Sequence, residues 1–450
     1  MRTECIDQTV FGFLPGKPIQ ARFDGGRLTS DGGLLLLAEA DRRFRLTESL
    51  AGELVDLRDQ TKIKLTYSEM LRQRIFGIAA GYEDGNDHDT LRADPVIKVV
   101  AGRLPVTDED LASQPTISRF ENHVSRRELV KLGYALVDHY IDRHRPDPPA
   151  EIVLDFDATD DPTHGQQEFE GFHGYYDHHC YLPMMIFGTC DDGPQEPILA
   201  VLRPGKIHAA KGLVGLLRRL VDRIAGAYPV TRLTFRGDAG MALPATYELC
   251  EGRGVDYMIA IGENPRLKAL AQPIAAEARR QFDETKDKVR IFGEVSYQAK
   301  TWSHPRKVII KAEVIPSHPT DTNVRFVVTN RDDLDPEALY DAYCQRGDVE
   351  CRIDELKNDC YSGRTSCCGF LANQFRLFMH VAAYLLFVLL RMALPNRELR
   401  VAQVQTLRVR LLKVAARVVE RARHVIFSLA ENYPWIDDWL DAAGVAKGEM

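Results

Sequence analysis

The sequence predicts an α/β protein whose mixed core sheet is interrupted by a β-rich insertion and preceded by an all-α N-terminal domain. After the proline-rich stretch at residues 143–149, the hydrophobic pattern changes from helical spacing to short apolar runs. Three such runs follow one another, and helix and strand patterns alternate after them. This order predicts an antiparallel meander that is extended by parallel βαβ units.

Residues 1–145 are predicted to form the helical N-terminal domain. Between residues 30 and 143, polar and apolar residues mix at helical spacing. Ser68 can open the segment that runs to Ile78, and Ser125 can open the one that runs to Ile141. The break at residues 143–149 then marks the domain boundary.

The first part of the core sheet is assigned to residues 150–263. The order of its predicted strands, with two helices between the later ones, matches a ribonuclease H-like sheet and also fits other α/β folds. The predicted strands are residues 151–157, 181–188, 197–202, 231–235 and 255–261, and the helices are residues 211–224 and 243–250.

The β-rich insertion is assigned to residues 264–332, where three strand patterns are separated by Pro, His and Ser turns. The second part of the core, residues 333–395, is predicted to contain a long helix from Pro336 to about Cys360 and another from Leu371 to Ala393. A basic C-terminal region follows at residues 396–450.

The overall charge of the chain argues against nucleic-acid binding, but its distribution does not. The 450 residues contain 58 Lys and Arg against 65 Asp and Glu, which gives a net charge of −7. Residues 203–223 nevertheless hold six Lys or Arg against one Asp, and residues 397–424 hold eight against two Glu. A local patch can bind a phosphate backbone whatever the total charge is.

The sequence predicts a cytoplasmic protein with no membrane association. Residues 1–20 lack the basic, apolar and small-residue segments of a signal peptide. The longest apolar run, residues 381–390, is much shorter than the ~20 residues that a membrane-spanning helix needs.

Three acidic residues occupy positions where the predicted sheet would expose a side chain. Asp157 ends the first strand, Asp238 follows the fourth between Gly237 and Gly240, and Glu350 lies in the helix after the insertion. Carboxylates that converge from separate elements repel one another unless cations neutralise them or one of them is protonated. Oxygen ligands of this kind suit Mg²⁺ or Mn²⁺, and two such ions are the usual device for phosphoryl displacement.

Four side chains around Glu350 share one face of the predicted helix. Tyr343, Arg346, Glu350 and Lys357 are spaced by three, four and seven residues. A carboxylate is thus flanked by a phenol and two cations, which can contact phosphate oxygens. An exposed helix with ordinary ion pairs is the alternative interpretation of this spacing.

The same four residues, as Y-x2-R-x3-E-x6-K, resemble the signature of DDE-type insertion-sequence transposases in the branch named for those four letters. Three other segments look like further blocks of one family in that branch, and the resemblance covers nearly the whole chain. These segments are LDFDATDDPTHG at residues 154–165, FRGDAG at residues 235–240 and GFLANQFRLFMHVAAYLL at residues 369–386, and the N-terminal LASQPTISRFEN at residues 111–122 resembles another.

The resemblance implies a ribonuclease H-like core that moves an insertion sequence by cut-and-paste transposition. It makes Asp157, Asp238 and Glu350 the catalytic and metal-binding triad, with two Mg²⁺ or Mn²⁺ ions per site. Asp157 is preferred because Ala158 and Thr159 complete the D-x-T of the family, but Asp155 lies on the same strand face and stays open.

The resemblance also implies partners. Tyr343, Arg346 and Lys357 would contact DNA near the cleaved end, and the N-terminal domain would bind DNA. We therefore expect double-stranded DNA, both transposon ends and target, as the partner of a homodimer in a bacterial cell, associated with the nucleoid when bound.

Relatives can stack an aromatic side chain of the insertion on a flipped base. Trp302 is the candidate here, beside the DNA-binding candidates Arg306 and Lys307, and a packed Trp is the alternative. The histidines around Cys180, at positions 164, 173, 178 and 179, lack zinc-site spacing. We expect them to line the loop between the first two strands.

Two other functions remain open from the sequence. A nuclease of the same fold would hydrolyse DNA without joining strands, and a transposase-derived DNA-binding protein would have lost the chemistry. All six signature residues are present, which favours an enzyme over the second alternative.

Overall fold

The structure, a computed structural model, describes residues 8–163 and 165–446. The chain divides into two compact units. The first comprises Met1–Leu132, Asn358–Arg364 and Met379–Met450, and the second comprises Gly133–Lys357 and Thr365–Phe378.

Helices occupy the segment from residue 34 to residue 144, as the sequence predicts, and three short strands precede them. The cap of one helix differs from the prediction: Thr66, not Ser68, accepts the backbone N–H of Glu69, whose carboxylate accepts that of Thr66 in return. The elements are β1 (Gln8–Phe11), β2 (Ile19–Arg22), β3 (Leu28–Thr29), α1 (Leu34–Phe44), α2 (Leu46–Gly52), α3 (Tyr67–Ala80), α4 (His88–Leu91), α5 (Pro95–Ala101), α6 (Gln114–His123) and α7 (Arg126–His144).

The strands and helices predicted for residues 150–263 are present within a few residues of the expected bounds, with three additional short strands. The elements are β4 (Glu151–Ala158), β5 (Asp161–Pro162), β6 (Gly171–His173), β7 (His178–Tyr181), β8 (Met184–Cys190), β9 (Glu196–Val201), α8 (Leu213–Ala227), β10 (Arg232–Gly237), α9 (Pro244–Arg253) and β11 (Asp256–Ala260).

The following segment contains the three predicted strands and a long helix that the sequence analysis did not assign. An internal proline, Pro273, obscures the pattern of this helix, and Asn264 caps its start. The elements are α10 (Pro265–Thr285), β12 (Val289–Tyr297), β13 (Arg306–Val314), β14 (Asn323–Thr329), α11 (Pro336–Cys344) and α12 (Gly347–Asn358).

The last part of the chain begins with a long apolar helix. It is long and apolar enough to span a bilayer, but 89% of its most apolar window is buried within the protein, as in the core helix of a globular protein. The elements are α13 (Phe370–Ala393), α14 (Arg397–Val401), α15 (Val404–Leu407), β15 (Ala416–Glu420), β16 (Val425–Leu429) and α16 (Ile436–Ala446).

The large sheet lies in the second unit and has the strand order β12-β13-β14-β11-β10-β4-β8-β9. Strands β4, β8 and β9 form the predicted antiparallel meander, and β10 and β11 continue it in parallel with β4. This is the ribonuclease H-like arrangement. The carboxyl ends of β4 and β10 therefore meet at one edge of the sheet.

Strands of the predicted insertion extend this same sheet. β14 pairs antiparallel with β11, and β13 and β12 follow it outward. One face of the sheet packs into a continuous apolar cluster that includes Phe156, Phe235 and Ile310. Since side chains alternate along a strand, Asp155, Asp157 and Arg236 point to the opposite face.

Candidate active site

Asp157 and Asp238 lie side by side at the carboxyl edge of the sheet. Asp155 on β4 is paired with Arg236 on the parallel strand β10. Asp157 lies two residues after Asp155, and Asp238 lies two residues after Arg236, so the two acids are next to each other. Burial raises the pKa of Asp157 to about 6, and the negative charges of Asp238 and Glu350 add to the rise. The two acids and Glu350 therefore form one electrostatic group.

Gly240 provides space beside Asp238. A methyl group added to Gly240 would lie 3.2 Å from Asp238 Oδ1. Neither Gly237 nor Gly240 has a positive φ. The close approach of Asp238 Oδ1, and not a left-handed backbone, is therefore what favours glycine at position 240.

Asp155 has a different environment from Asp157, although both lie on the same face of β4. Asp155 is fully buried and accepts two hydrogen bonds from Arg236, at 2.6 and 2.7 Å, and one from Gln195 at 2.7 Å. A carboxylate with this many partners is already neutralised. This geometry supports Asp157 as the acid with free ligand capacity.

The signature residues lie on two helices and the turn between them: Tyr343 is on α11, Arg346 is in the turn, and Glu350 and Lys357 are on α12. The predicted long helix is interrupted at Gln345 and Arg346, where the chain forms shorter i→i+3 bonds, from Arg346 N–H to Tyr343 and from Val349 N–H to Arg346. Gly347, a poor helix former, begins α12 directly after the turn. The Nη1 of Arg236 donates to the carbonyl of Ala342 at 2.6 Å, which fixes the end of α11 to the sheet.

Arg346 links two of the three acids. Its Nη2 donates to Asp157 Oδ1 at 2.8 Å, and its Nη1 lies 3.7 Å from Glu350 Oε1. The Glu350 side chain is 73% exposed, whereas those of Asp157 and Arg346 are 14% and 13% exposed. The guanidinium thus neutralises a partly buried carboxylate and holds an exposed one near it.

Tyr343 and Lys357 flank this pair. Tyr343 packs against the apolar cluster around Met258, and burial raises the pKa of its phenol, which stays protonated at neutral pH. Lys357 Nζ donates to Asp160 Oδ1 at 2.8 Å, and Asp160 also contacts His178 at 3.0 Å. Lys357 is therefore held against the loop that follows Asp157.

The carboxylates of Asp157, Asp238 and Glu350 are suitable ligands for a divalent cation, although they do not lie close enough together in this structure to coordinate one. Asp238 Oδ1 is buried without a hydrogen-bond partner, which is the condition of an oxygen that a cation would satisfy. Within residues 8–163 and 165–446, no three acidic, His or Cys side chains are grouped closely enough to hold an ion. Arg346 already pairs with Asp157 and Glu350, so a cation would have to replace it there.

Three predicted DNA contacts lie away from this cluster. Trp302 is 6% exposed and packs edge-on against Tyr247 and Tyr297, at centroid distances of 5.2 and 5.4 Å. Its ring is not accessible to a base, so the structure contradicts the stacking role and matches a packed Trp.

Arg306 and Lys307 are also occupied. The Arg306 side chain is 2% exposed and makes two hydrogen bonds to Glu251, at 2.6 and 2.8 Å. The predicted DNA contact at Arg306 is therefore wrong for this structure, because its charge is neutralised inside the fold. Lys307 Nζ contacts Asp332 at 2.5 Å and is partly exposed.

An aromatic hairpin next to the acids was not singled out by the sequence analysis. Strand β7 pairs with both β6 and β5, and Tyr176 at the tip of the β6–β7 hairpin donates to the carbonyl of Ala158 at 3.3 Å. The neighbouring Tyr175 is 85% exposed. The sequence feature that could have indicated this hairpin is FHGYYDHH at residues 172–179, in which aromatic and His residues are concentrated around a predicted turn. Of the predicted histidines, His164 lies outside the described residues, and His178 contacts Asp160 in the loop after β4.

Comparison with known proteins identifies the family. The chain matches the family described as transposase DDE domain group 1 over residues 11–444. No curated protein matches it. The match covers nearly the whole chain, including both sheet acids and the two helices of the signature. The chain therefore belongs to the DDE transposase family.

Proposed function

We propose that this protein binds the terminal inverted repeats of an insertion sequence, cleaves the DNA there and joins the freed ends to target DNA. The observation that carries this proposal is the pairing of Asp157 and Asp238 on adjacent strand ends, with Arg346 and Glu350 beside them. Family membership supports action on DNA in general.

Asp157, Asp238 and Glu350 are proposed to hold Mg²⁺ or Mn²⁺. When bound, the ions would supply charge neutralisation at the scissile phosphate and a more acidic water. Arg346 neutralises Asp157 and Glu350 in this structure, and its guanidinium matches a phosphate as well as a carboxylate. Arg346 could therefore release these carboxylates when the ions bind and contact a DNA phosphate instead.

Two further groups would orient the DNA. The Tyr343 phenol is protonated at neutral pH, and burial raises its pKa further, so it can donate a hydrogen bond to a phosphate oxygen. Lys357 adds a positive charge that its contact with Asp160 positions beside the acids. Recognition of the repeats is assigned to the N-terminal helices, where Arg119 and Asn122 are exposed on α6.

Substitution of each acid tests the proposal. Asp157→Asn, Asp238→Asn and Glu350→Gln should each abolish Mg²⁺-dependent cleavage of a duplex that contains the element's end. Asp283→Asn and Glu284→Gln are matched controls, because both acids are exposed at the far end of α10, and they should cleave normally. Cleavage retained by any triad variant would contradict the proposed site.

A joining assay separates a transposase from a nuclease of the same fold. The protein is given a pre-cleaved end with a free 3′-OH, an acceptor duplex and Mg²⁺. A covalently joined product supports strand transfer, since transesterification needs no external energy source. Hydrolysis without joined product would establish the nuclease alternative.

A further inference from the structure

The loop between β9 and α8, residues 203–212, lies against two parts of the candidate active site. A methyl group added to Gly171, on the aromatic hairpin, would lie 2.7 Å from Lys206 Cγ. A methyl group added to Gly240, two residues after Asp238, would lie 3.6 Å from Ala209 Cβ. The loop therefore lies between the hairpin and the turn that carries Asp238.

A buried arginine holds this loop in shape. Arg203 is 6% exposed, and it donates to the carbonyl of Leu182 at 2.8 Å and to those of Ala209 and Lys211 at 2.6 and 3.0 Å. Gly205 packs so closely on the hairpin that a methyl group there would lie 2.0 Å from the carbonyl oxygen of Cys180. The loop is thus fixed at both its start and its end.

The fixed loop presents cations that have no acidic partner. Lys206 and Lys211 are exposed, as are Arg218 and Arg219 on α8, and none of the four forms an ion pair with any residue that the structure describes. Nearby charges differ, since Arg223 pairs with Asp138 and Asp222 pairs with Arg253. Unpaired cations on a loop that packs against the turn after Asp238, and on the helix that follows it, favour an anionic ligand.

Two polar features add to this surface. His208 Nδ1 accepts the backbone N–H of Ala210 at 3.1 Å, so the proton of a neutral ring lies on Nε2 and can be donated outward. Helix α8, which has 15 residues, begins directly after the loop, with no acid in its first turn and no side-chain cap. Its positive end therefore faces the same segment of chain.

We propose that residues 203–212 form a DNA-phosphate-binding loop beside Asp238, with Lys206 and Lys211 as its contacts and Arg203 as a positioning residue. The ligand class is the phosphodiester backbone, recognised by charge and not by base sequence. The inference rests on the proposed function, because it places the bound strand next to the acids, but it can be tested without catalysis.

The salt dependence of DNA binding tests the contacts. For Lys206→Gln/Lys211→Gln, affinity for a duplex of arbitrary sequence is measured without divalent metal between about 50 and 200 mM salt. Each lost phosphate contact lowers the slope of log affinity against log salt by about 0.9, so we expect a decrease of about 2 for the double variant. An unchanged slope would overturn the proposal.

A matched control is available just after the end of α10. Lys286→Gln/Lys288→Gln makes the same charge change at exposed side chains, roughly 30 Å along the helix from its start. Its slope should equal that of the wild type. If both double variants lower the slope equally, the effect is one of net charge and the loop is not a binding site.

Substitution of Arg203 tests the positioning role. Arg203→Met should speed cleavage by a lysine-specific protease after Lys206 and Lys211, and should lower the salt slope in parallel. A loosened loop with an unchanged slope would refute the positioning role.

The outcomes also separate this inference from the proposed function. Normal Mg²⁺-dependent end cleavage together with an unchanged slope refutes the loop alone. A lowered slope in a protein that does not cleave DNA supports the loop and refutes the cleavage function.

Discussion

Three acids within seven residues of β4 and β5 show how strongly environment decides the state of a carboxyl group. Asp155 is neutralised by Arg236, and Asp157 shares Arg346 with Glu350. Asp161 is 2% exposed, and burial raises its pKa to about 7, although Thr365 donates to its Oδ2 at 2.6 Å. Of the three, only Asp155 forms a fully buried ion pair, with Arg236.

Asp161 should make stability depend on pH. Its pKa of about 7 in the folded protein exceeds the ordinary value of 3.8, so the folded state keeps a proton that the unfolded state releases. The resulting stabilisation is complete below about pH 4 and is lost as the pH rises through 7. When the pH is raised from 4 to 7.5, the free energy of unfolding measured with urea should fall less for Asp161→Asn than for the wild type.

The exposed Asp283→Asn provides the control for this measurement and should follow the wild type. Identical pH dependence in Asp161→Asn and the wild type would show that Asp161 is ionised throughout this range.

At the scale of elements, the buried pair between β4 and β10 joins the strands that carry the two sheet acids. Asp155 and Arg236 are 0% and 3% exposed at their side chains, and Arg236 also reaches α11. One arginine thus connects both strands to the helix that bears Tyr343. This pair positions the site without taking part in it.

Asp155→Asn should destabilise the protein, because it leaves the charge of Arg236 buried and poorly compensated. Removing one partner of a buried pair costs about 3–5 kcal/mol, so the free energy of unfolding should fall by this order. Chemical denaturation measures the change. Glu277→Gln, which removes an exposed partner of Arg280, is the control and should leave the unfolding midpoint unchanged.

If Asp155→Asn unfolds like the wild type but fails to cleave DNA, Asp155 is a member of the triad, and the assignment of Asp157 must be revised.

At the scale of the whole molecule, the basic side chains of residues 203–223 and of residues 397–424 have different contacts in the structure. Within residues 397–424, Arg408 is buried and donates to backbone carbonyls, Arg410 pairs with Asp438, and Lys413 pairs with Asp31. Much of that charge stabilises the first unit. The stretch at residues 203–223 keeps Lys206, Lys211, Arg218 and Arg219 exposed and without an ion pair among the described residues, and the loop that carries the two lysines packs against the turn after Asp238.

We expect two chains to assemble on DNA, because joining both ends of an element to a target requires two active sites held together. Light scattering after size-exclusion chromatography should give the mass of two chains with two end duplexes. A duplex without the terminal repeat is the control and should not yield this complex. One chain per end under cleavage conditions would contradict the expected homodimer.

Local sequence patterns indicated the order of the core strands β4, β8, β9, β10 and β11 and the positions of Asp157 and Asp238 at the ends of two of them. The single helix predicted around the Tyr343 to Lys357 signature is two helices in the structure. Such patterns work because side-chain periodicity is set by the backbone of each element. Helix α10 escaped this reasoning because Pro273 interrupts its pattern.

Only the tertiary structure decided which partners these side chains have. Arg346 and Asp157 are 189 positions apart, Arg306 and Glu251 are 55 apart, and Trp302 is buried by residues that precede it by up to 55 positions. No local pattern encodes such pairs. The residue type supplied the chemistry of each group, whereas burial and distant charges determined whether it is free to act.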